Sequence, residues 1–296
     1  MTDLIKIAVD AMGGDNSPKK IIDGVVLNHL SNKNVFYKIF GDKNKINNLI
    51  GDKINNEFYE VINTTDVVKS TDSPLEGAKR GKNTSMWLAI DSVKKKEADI
   101  VVSAGNTGAL LVISKLNLKM IENIDKPALS ALWPNKKGMS VVLDLGANIE
   151  CSSKNLLDFS IMGASLYTSL YPGDKPNVGL LNIGSEELKG NETIKETYQN
   201  LNDKKSENYN FSGYIEGNHL MDGNINVIVS DGFTGNVALK TAEGTANFIT
   251  SELKKAMTGS IIGKISSLLN ISNLKKFKKR LDPRLYNGAI FIGLDS

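Results

Sequence analysis

The sequence predicts an α/β fold, a three-layer sandwich in which helices cover both faces of a mainly parallel sheet. Two observations predict it. Short, nearly continuous apolar runs alternate with helical patterns along the chain, whereas a sheet with one wet face would show strict alternation within each strand. Five of these runs, counting the first, end in the same way: a polar, glycine-containing turn that leads into a helix. In such sheets ligands bind outside the carboxyl ends of the strands, so the five turns are expected to gather at one rim.

The elements follow in order. Leu4 to Val9 reads as a strand ending on Asp10-Ala-Met-Gly-Gly-Asp15-Asn-Ser-Pro18, with Ser17 as N-cap and Pro18 as first residue of a helix to Leu30. A strand from Val35 to Phe40, a short Lys- and Asn-rich helix and a weaker strand from Phe58 to Ile62 come next. A helical stretch from Ser73, broken near Gly81, leads to the run Ile100 to Val102. That run passes straight into Ser103-Ala-Gly-Asn-Thr-Gly-Ala109 and a helix over 109–120. The plan then recurs at Ser140–Asn148, Val178–Asn191 and Ile225–Asn236. No short repeat and no low-complexity linker divides the chain, which reads as a single catalytic domain over 1–296 with a helical appendage at about 250–281.

Composition narrows the function. A net charge of +3 over 296 residues is too small to imply nucleic acid. One cysteine, Cys151, excludes an internal disulfide and a multi-cysteine metal cage, and two histidines make a histidine triad or His-rich metal site improbable. No run reaches the length of a membrane span and the N-terminus lacks signal-peptide order, so a cytoplasmic location is expected. Gly-x-Gly-x-x-Gly, the P-loop and Gly-x-Ser-x-Gly are all absent.

The turn at 103–108 points at an anion. A helix N-terminus presents unpaired N–H groups and the positive end of its dipole, and Ser103, Gly105, Asn106, Thr107 and Gly108 would surround a phosphate there. The competing reading is an ordinary connection capped by Asn106 or Thr107; the recurrence of such turns favours the anion. Asp10, Asp15, Asp144 and Asp231 follow apolar strands, as a base or as a cap of the next helix. Lys189, beside Gly190, suits a phosphate or thioester carbonyl, or pairs with Glu186 or Glu187 on a solvated helix. Cys151 reads as a thiolate nucleophile or as a small packed hydrophobe.

Together, Ile7-Ala-Val-Asp-Ala-Met-Gly-Gly-Asp15, Ser103-Ala-Gly-Asn-Thr-Gly-Ala109, Leu143-Asp-Leu-Gly-Ala-Asn148, Leu181-Asn-Ile-Gly-Ser-Glu-Glu-Leu-Lys-Gly-Asn191 and Val229-Ser-Asp-Gly-Phe-Thr-Gly-Asn-Val237 resemble the PlsX family of bacterial phosphate acyltransferases, in the expected order from Ile5 to about Leu294. The resemblance implies a fold like that of phosphotransacetylases and the isocitrate dehydrogenase group. It further implies a homodimer, no cofactor or metal, and transfer of a fatty acyl chain from acyl carrier protein to inorganic phosphate for phospholipid synthesis. A downstream glycerol-3-phosphate acyltransferase is then a candidate partner. Phosphate is already an anionic nucleophile near neutral pH, with a second pKa of roughly 6 in related esters, so no protein nucleophile is required.

On this reading residues 103–108 bind phosphate, and Lys189 and Asn191 stabilise charge. Asp231, with Asn236, orients or deprotonates phosphate. Asp10, Gly13, Gly14, Asp15, Asp144, Asn148, Asn182 and Glu186 arrange the site. The runner-up is a phosphotransacetylase acting on a short acyl-CoA, and the third reading a silent membrane scaffold.

In the appendage Ile261, Ile262, Ile265, Leu268 and Leu269 line one helical face, continued by Leu274, Phe277 and Leu281 among Lys275, Lys276, Lys278, Lys279 and Arg280. A basic amphipathic helix suits an anionic membrane surface, which would place the protein peripherally on the inner face of the membrane. A dimer interface or a docking patch for acidic acyl carrier protein are the other readings. The family pattern continues past Asp282-Pro-Arg-Leu-Tyr-Asn-Gly-Ala-Ile-Phe-Ile-Gly-Leu294 with a strand, a turn and a closing helix, whereas this sequence stops at Ser296.

Overall fold

The computed structural model describes residues 4–173, 175–281 and 288–295. The sequence positions 282–287, and the side chains of Arg280 and Leu281, lie outside the described residues. The chain divides into two compact units, Met1–Glu122 with Leu294–Ser296, and Asn123–Gly293. The α/β class and the parallel strand pairing are as expected. The strands, however, form two sheets rather than one.

The first unit holds a four-stranded sheet. Its strands are β1 (Ile5–Asp10), β2 (Val35–Gly41), β3 (Tyr59–Asn63) and β4 (Ile100–Ser103), in the order β3-β2-β1-β4, all parallel. Val9 sits in register with Ile39 on one side and Val102 on the other. Helices α1 (Lys19–Ser31), α2 (Lys43–Ile50), α3 (Pro74–Lys79), α4 (Ser85–Lys94) and α5 (Thr107–Leu118) complete it. The break near Gly81 is real: it separates α3 from α4, and Gly81 has φ +107°. Two clusters form the core, one of Val9, Ile22, Ile39, Ile46 and Ile50, the other of Ala8, Met86, Ile90, Ala109 and Ile113.

One cap differs from expectation. Pro18 takes the N-cap position of α1, and the Ser17 hydroxyl donates instead to the carbonyls of Gly13 at 2.5 Å and Gly14 at 2.7 Å. Ser17 thus closes the turn after β1 rather than capping the helix.

The second unit holds a six-stranded sheet of order β10-β5-β6-β9-β7-β8. Here β5 is Ala128–Pro134, β6 Met139–Leu143, β7 Asn177–Asn182, β8 Asn210–Glu216, β9 Val227–Val229 and β10 Ile290–Ile292. β6, β9, β7 and β8 run parallel, while β5 and β10 pair antiparallel. Helices α6 (Ser153–Leu170), α7 (Glu192–Asp203) and α8 (Gly232–Thr258) follow β6, β7 and β9. The core gathers Val141, Leu143, Leu156, Phe159, Val178, Leu180, Val227 and Val229. The appendage is the far part of α8 followed by α9 (Ile261–Leu269) and α10 (Ile271–Leu281).

Candidate active site

Each unit collects its polar turns at the carboxyl ends of adjacent strands. In the first unit β1 and β4 are neighbours, so the turns after them lie side by side. Asp10, 1% exposed, joins them: Oδ1 accepts from the Ser85 hydroxyl at 2.6 Å and from the Met12 N–H, and Oδ2 accepts from the Ser103 hydroxyl at 2.7 Å. Ser103 Oγ in turn accepts the Gly105 N–H at 3.1 Å. A methyl group at Gly13 would lie 2.8 Å from the Gly105 nitrogen, so these turns touch only because both positions lack a side chain. Asp15 is exposed beside them. Ser85 was missed from the sequence, since 75 residues separate it from Asp10 and no motif links them.

Asn106 is the N-cap of α5, its Oδ1 accepting the Ala109 N–H at 3.0 Å. Its Nδ2 donates to the carbonyls of Asp72 at 2.7 Å and Ser70 at 3.3 Å. Both ends of this amide are therefore engaged within the fold, which takes the Asn106 side chain out of the expected set of phosphate donors. Ser103 is likewise committed to Asp10. The first-turn N–H groups of Thr107 and Gly108 have no intrahelical acceptor, and with the Thr107 hydroxyl they are the donors this turn can offer an anion.

In the second unit β6, β9 and β7 are adjacent, which brings together three of the expected turns. Asp144, fully buried, organises the first. Its Oδ1 accepts the N–H groups of Leu129, Gly146 and Ala147 at 3.0–3.1 Å, and its Oδ2 accepts both nitrogens of Asn148 at 2.7 and 2.8 Å. A carboxylate so surrounded is an anchor rather than a base. The start of α8 presses onto the same turn: a methyl at Gly235 would overlap the Asp144 carbonyl oxygen, and Gly232 N–H donates to Asn148 O at 2.7 Å.

Asp231 caps α8, accepting from Thr234 N–H at 2.8 Å and the Thr234 hydroxyl at 2.9 Å. Asn191 caps α7 through the Ile194 N–H at 2.9 Å. Asn182 Nδ2 ties the turn after β7, donating to the carbonyls of Gly184 and Lys189. Lys189 itself is exposed; among the described residues its ammonium pairs with neither Glu186 nor Glu187, and Glu187 accepts instead from the Tyr198 hydroxyl at 3.1 Å.

The starts of α6, α7 and α8 meet around a pocket of about 480 Å³. Asn191, Thr193, Asp231 and Thr234 supply polar groups, and Ile149, Leu156, Ile194 and Phe233 apolar ones. Asn191 and Asp231 thus both line this pocket, while Asn236 lies beside Gly146 and Lys189 stays outside the pocket lining. Ile149 and Phe233, 72% and 63% exposed, were missed because an apolar residue in a polar turn carries no periodic signal. Cys151 also lines the pocket, where burial and then the Asp144 charge push its thiol up to about 11. The raised value favours the small packed hydrophobe over the thiolate nucleophile. Among the described residues no group of three or more His, Cys, Asp or Glu is placed to hold a metal.

Helix N-termini and buried carboxylates at the carboxyl rims of parallel strands define an α/β protein. Solved structures agree on the fold: a phosphotransacetylase from Streptococcus pyogenes superposes with TM-score 0.59 at 15% identity over 83% of each chain. EutD phosphotransacetylase from Staphylococcus aureus gives 0.57 at 16% identity, covering 82% of this chain and 83% of its own. The particular family is narrower. The family described as fatty acid synthesis protein matches residues 5–296. The phosphate acyltransferase of Pelagibacter ubique (strain HTCC1062) is 78% identical over 296 residues, all of this chain and 89% of the relative. That of Rhodospirillum rubrum is 44% identical, covering all of this chain and 84% of its own. The chain belongs to this phosphate acyltransferase family and is an acyltransferase.

Proposed function

We propose that the protein transfers a long-chain fatty acyl group from acyl carrier protein to orthophosphate. An oxygen of hydrogenphosphate attacks the thioester carbonyl, the carbon–sulfur bond breaks, and the carrier thiol leaves with the proton that phosphate gives up, giving acyl phosphate for phospholipid synthesis. The observation that carries this reading is the match to the phosphate acyltransferase family along all of this chain, with the five quoted motifs present.

In the first unit Thr107 and Gly108 hold phosphate, with Ser103, Gly105 and Asn106 shaping their turn from within and Asp10 with Gly13 and Gly14 supporting it. The second unit is assigned charge-stabilising groups in Asn191 and Lys189 and an orienting pair in Asp231 and Asn236, with Asp144, Asn148, Asn182 and Glu186 fixing its turns. Ile149 and Phe233 offer apolar surface to the acyl end. The charge of phosphate makes a protein nucleophile unnecessary, in keeping with the high thiol pKa of Cys151.

The exposed Ile261, Ile262, Ile265, Leu268 and Leu269 on α9, with Lys275, Lys276, Lys278 and Lys279 on α10, are assigned to an anionic membrane surface. Each lysine near such a surface contributes about 1 kcal/mol. No helix among the described residues is long and apolar enough to cross a membrane. A homodimer that passes acyl phosphate to a glycerol-3-phosphate acyltransferase at the cytoplasmic face completes the reading.

The test is incubation with labelled orthophosphate and palmitoyl-acyl carrier protein, palmitoyl-CoA or acetyl-CoA in turn. Labelled acyl phosphate from the carrier-protein donor alone is expected. Product from acetyl-CoA alone would make the protein a phosphotransacetylase, and product from none would leave a scaffold.

A further inference from the structure

The segment before α4 contains α3 and, ahead of it, a stretch with no regular structure, yet it is held at several points. Asp72 is gripped by Arg80, which donates to it through Nε and, at 2.5 Å, through a terminal guanidinium nitrogen. The Lys69 N–H donates to the same carboxylate at 2.8 Å. The Asp72 side chain is only 9% exposed, and Arg80 holds its carboxyl down at about 2, so the pair stays charged across the physiological range. The backbone carbonyl of the same residue accepts from Asn106 Nδ2. Close approaches join the rest: a methyl at Gly108 would meet Pro74 Cγ at 2.7 Å, and one at Gly77 would meet Ala109 Cβ at 2.7 Å. Ser73 and Glu76 form a reciprocal capping box that fixes where α3 begins.

We infer that residues 69–80 are a strap fastened across the N-terminus of α5, and that Asp72 and Arg80 are positioning residues for the phosphate turn. The strap explains why Asn106 cannot itself reach for an anion, since its amide is the buckle. Through Asn106, which also caps α5, the Asp72–Arg80 pair sets the orientation of the Thr107 and Gly108 N–H groups. The inference rests on the reading of 103–108 as the phosphate turn.

The test compares wild type with Arg80→Gln, Arg80→Lys and Asp72→Asn. Amide hydrogen exchange over 69–80, the KM for orthophosphate, the KM for the acyl donor, and calorimetric affinity for inorganic phosphate are measured. Arg80 lies at the surface, so the fold is expected to survive. Arg80→Gln and Asp72→Asn are expected to speed strap exchange and to raise the phosphate KM by about tenfold, the loss of one or two charge-assisted hydrogen bonds. The donor KM should stay within about twofold, and Arg80→Lys should restore part of the loss because it keeps the charge without the fork. Faster exchange with unchanged phosphate KM and affinity would overturn the positioning role, and unchanged exchange would overturn the strap. Were wild type to form no acyl phosphate, the proposed activity would fall, while exchange and inorganic phosphate affinity would still decide for or against the strap.

Discussion

The carboxylate of Asp10, at the carboxyl end of β1, accepts a hydrogen bond of 2.7 Å from the hydroxyl of Ser103, at the carboxyl end of β4. The other oxygen takes the Ser85 hydroxyl, so one buried carboxylate ties two strand ends to the start of α4. Asp10→Ala would leave both hydroxyls without their acceptor and is expected to cost about 2–4 kcal/mol, against roughly 1 kcal/mol for Ser85→Ala. Urea unfolding of the two variants beside wild type measures the difference; equal, small losses would show that Asp10 does not organise these turns.

Cys151 is expected to behave as an inert thiol. With its pKa at about 11, the thiolate fraction at pH 8 is on the order of a hundredfold below that of a free cysteine, and alkylation by iodoacetamide should slow in proportion. Cys151→Ser should keep acyl phosphate formation within about twofold, since the thiol has no assigned chemistry. Fast alkylation at neutral pH, or loss of turnover in the serine variant, would return the nucleophile reading.

His29 makes the first unit acid-sensitive. It is 4% exposed, its ring packs against Tyr37 and Phe58, and its Nδ1 has no partner among the described residues. Burial, and then the charge of Lys33, lower its pKa below 6.5. The unfolded chain therefore binds the proton first as pH falls, and the contribution present above pH 6.5 is lost below it. The urea midpoint should fall from pH 7 to pH 5 more steeply in wild type than in His29→Gln. Parallel pH profiles would contradict this.

The appendage predicts binding to anionic vesicles that one charge on its apolar face abolishes. Ile262 is 80% exposed on α9, so Ile262→Asp should remove flotation with phosphatidylglycerol liposomes without lowering thermal stability. Turnover with soluble carrier-protein donor should persist. Flotation retained in the aspartate variant would move these helices to another role.

Much of the fold was legible because β6, β7, β9 and the second half of β1 are buried and, with the partly exposed β4, read as short apolar runs. What those runs do not encode is which strands pair, and so the division into two sheets was not visible. β5, with Ser130 amid apolar residues, and β8, an edge strand with Asn210 and Ser212 exposed, lacked the continuous apolar signal. In the site, Asn191 was legible only within the motif that carries the resemblance, and Asp231 because a cap residue after a strand has a local signature. Asn106 was found for the same reason, but its commitment to the strap depends on contacts some 34 residues away. Sequence marked that residue as polar and well placed; only packing shows that its hydrogen-bonding capacity is already used.

The central claim, that the start of α5 grips orthophosphate, is met most directly by the phosphate dependence of acyl phosphate formation in wild type and Thr107→Ala. Removing a hydroxyl that bonds a charged ligand should raise the phosphate KM by about tenfold or more with the acyl-donor KM unchanged. A phosphate KM that does not move, in a variant that folds and turns over as wild type does, would contradict the account.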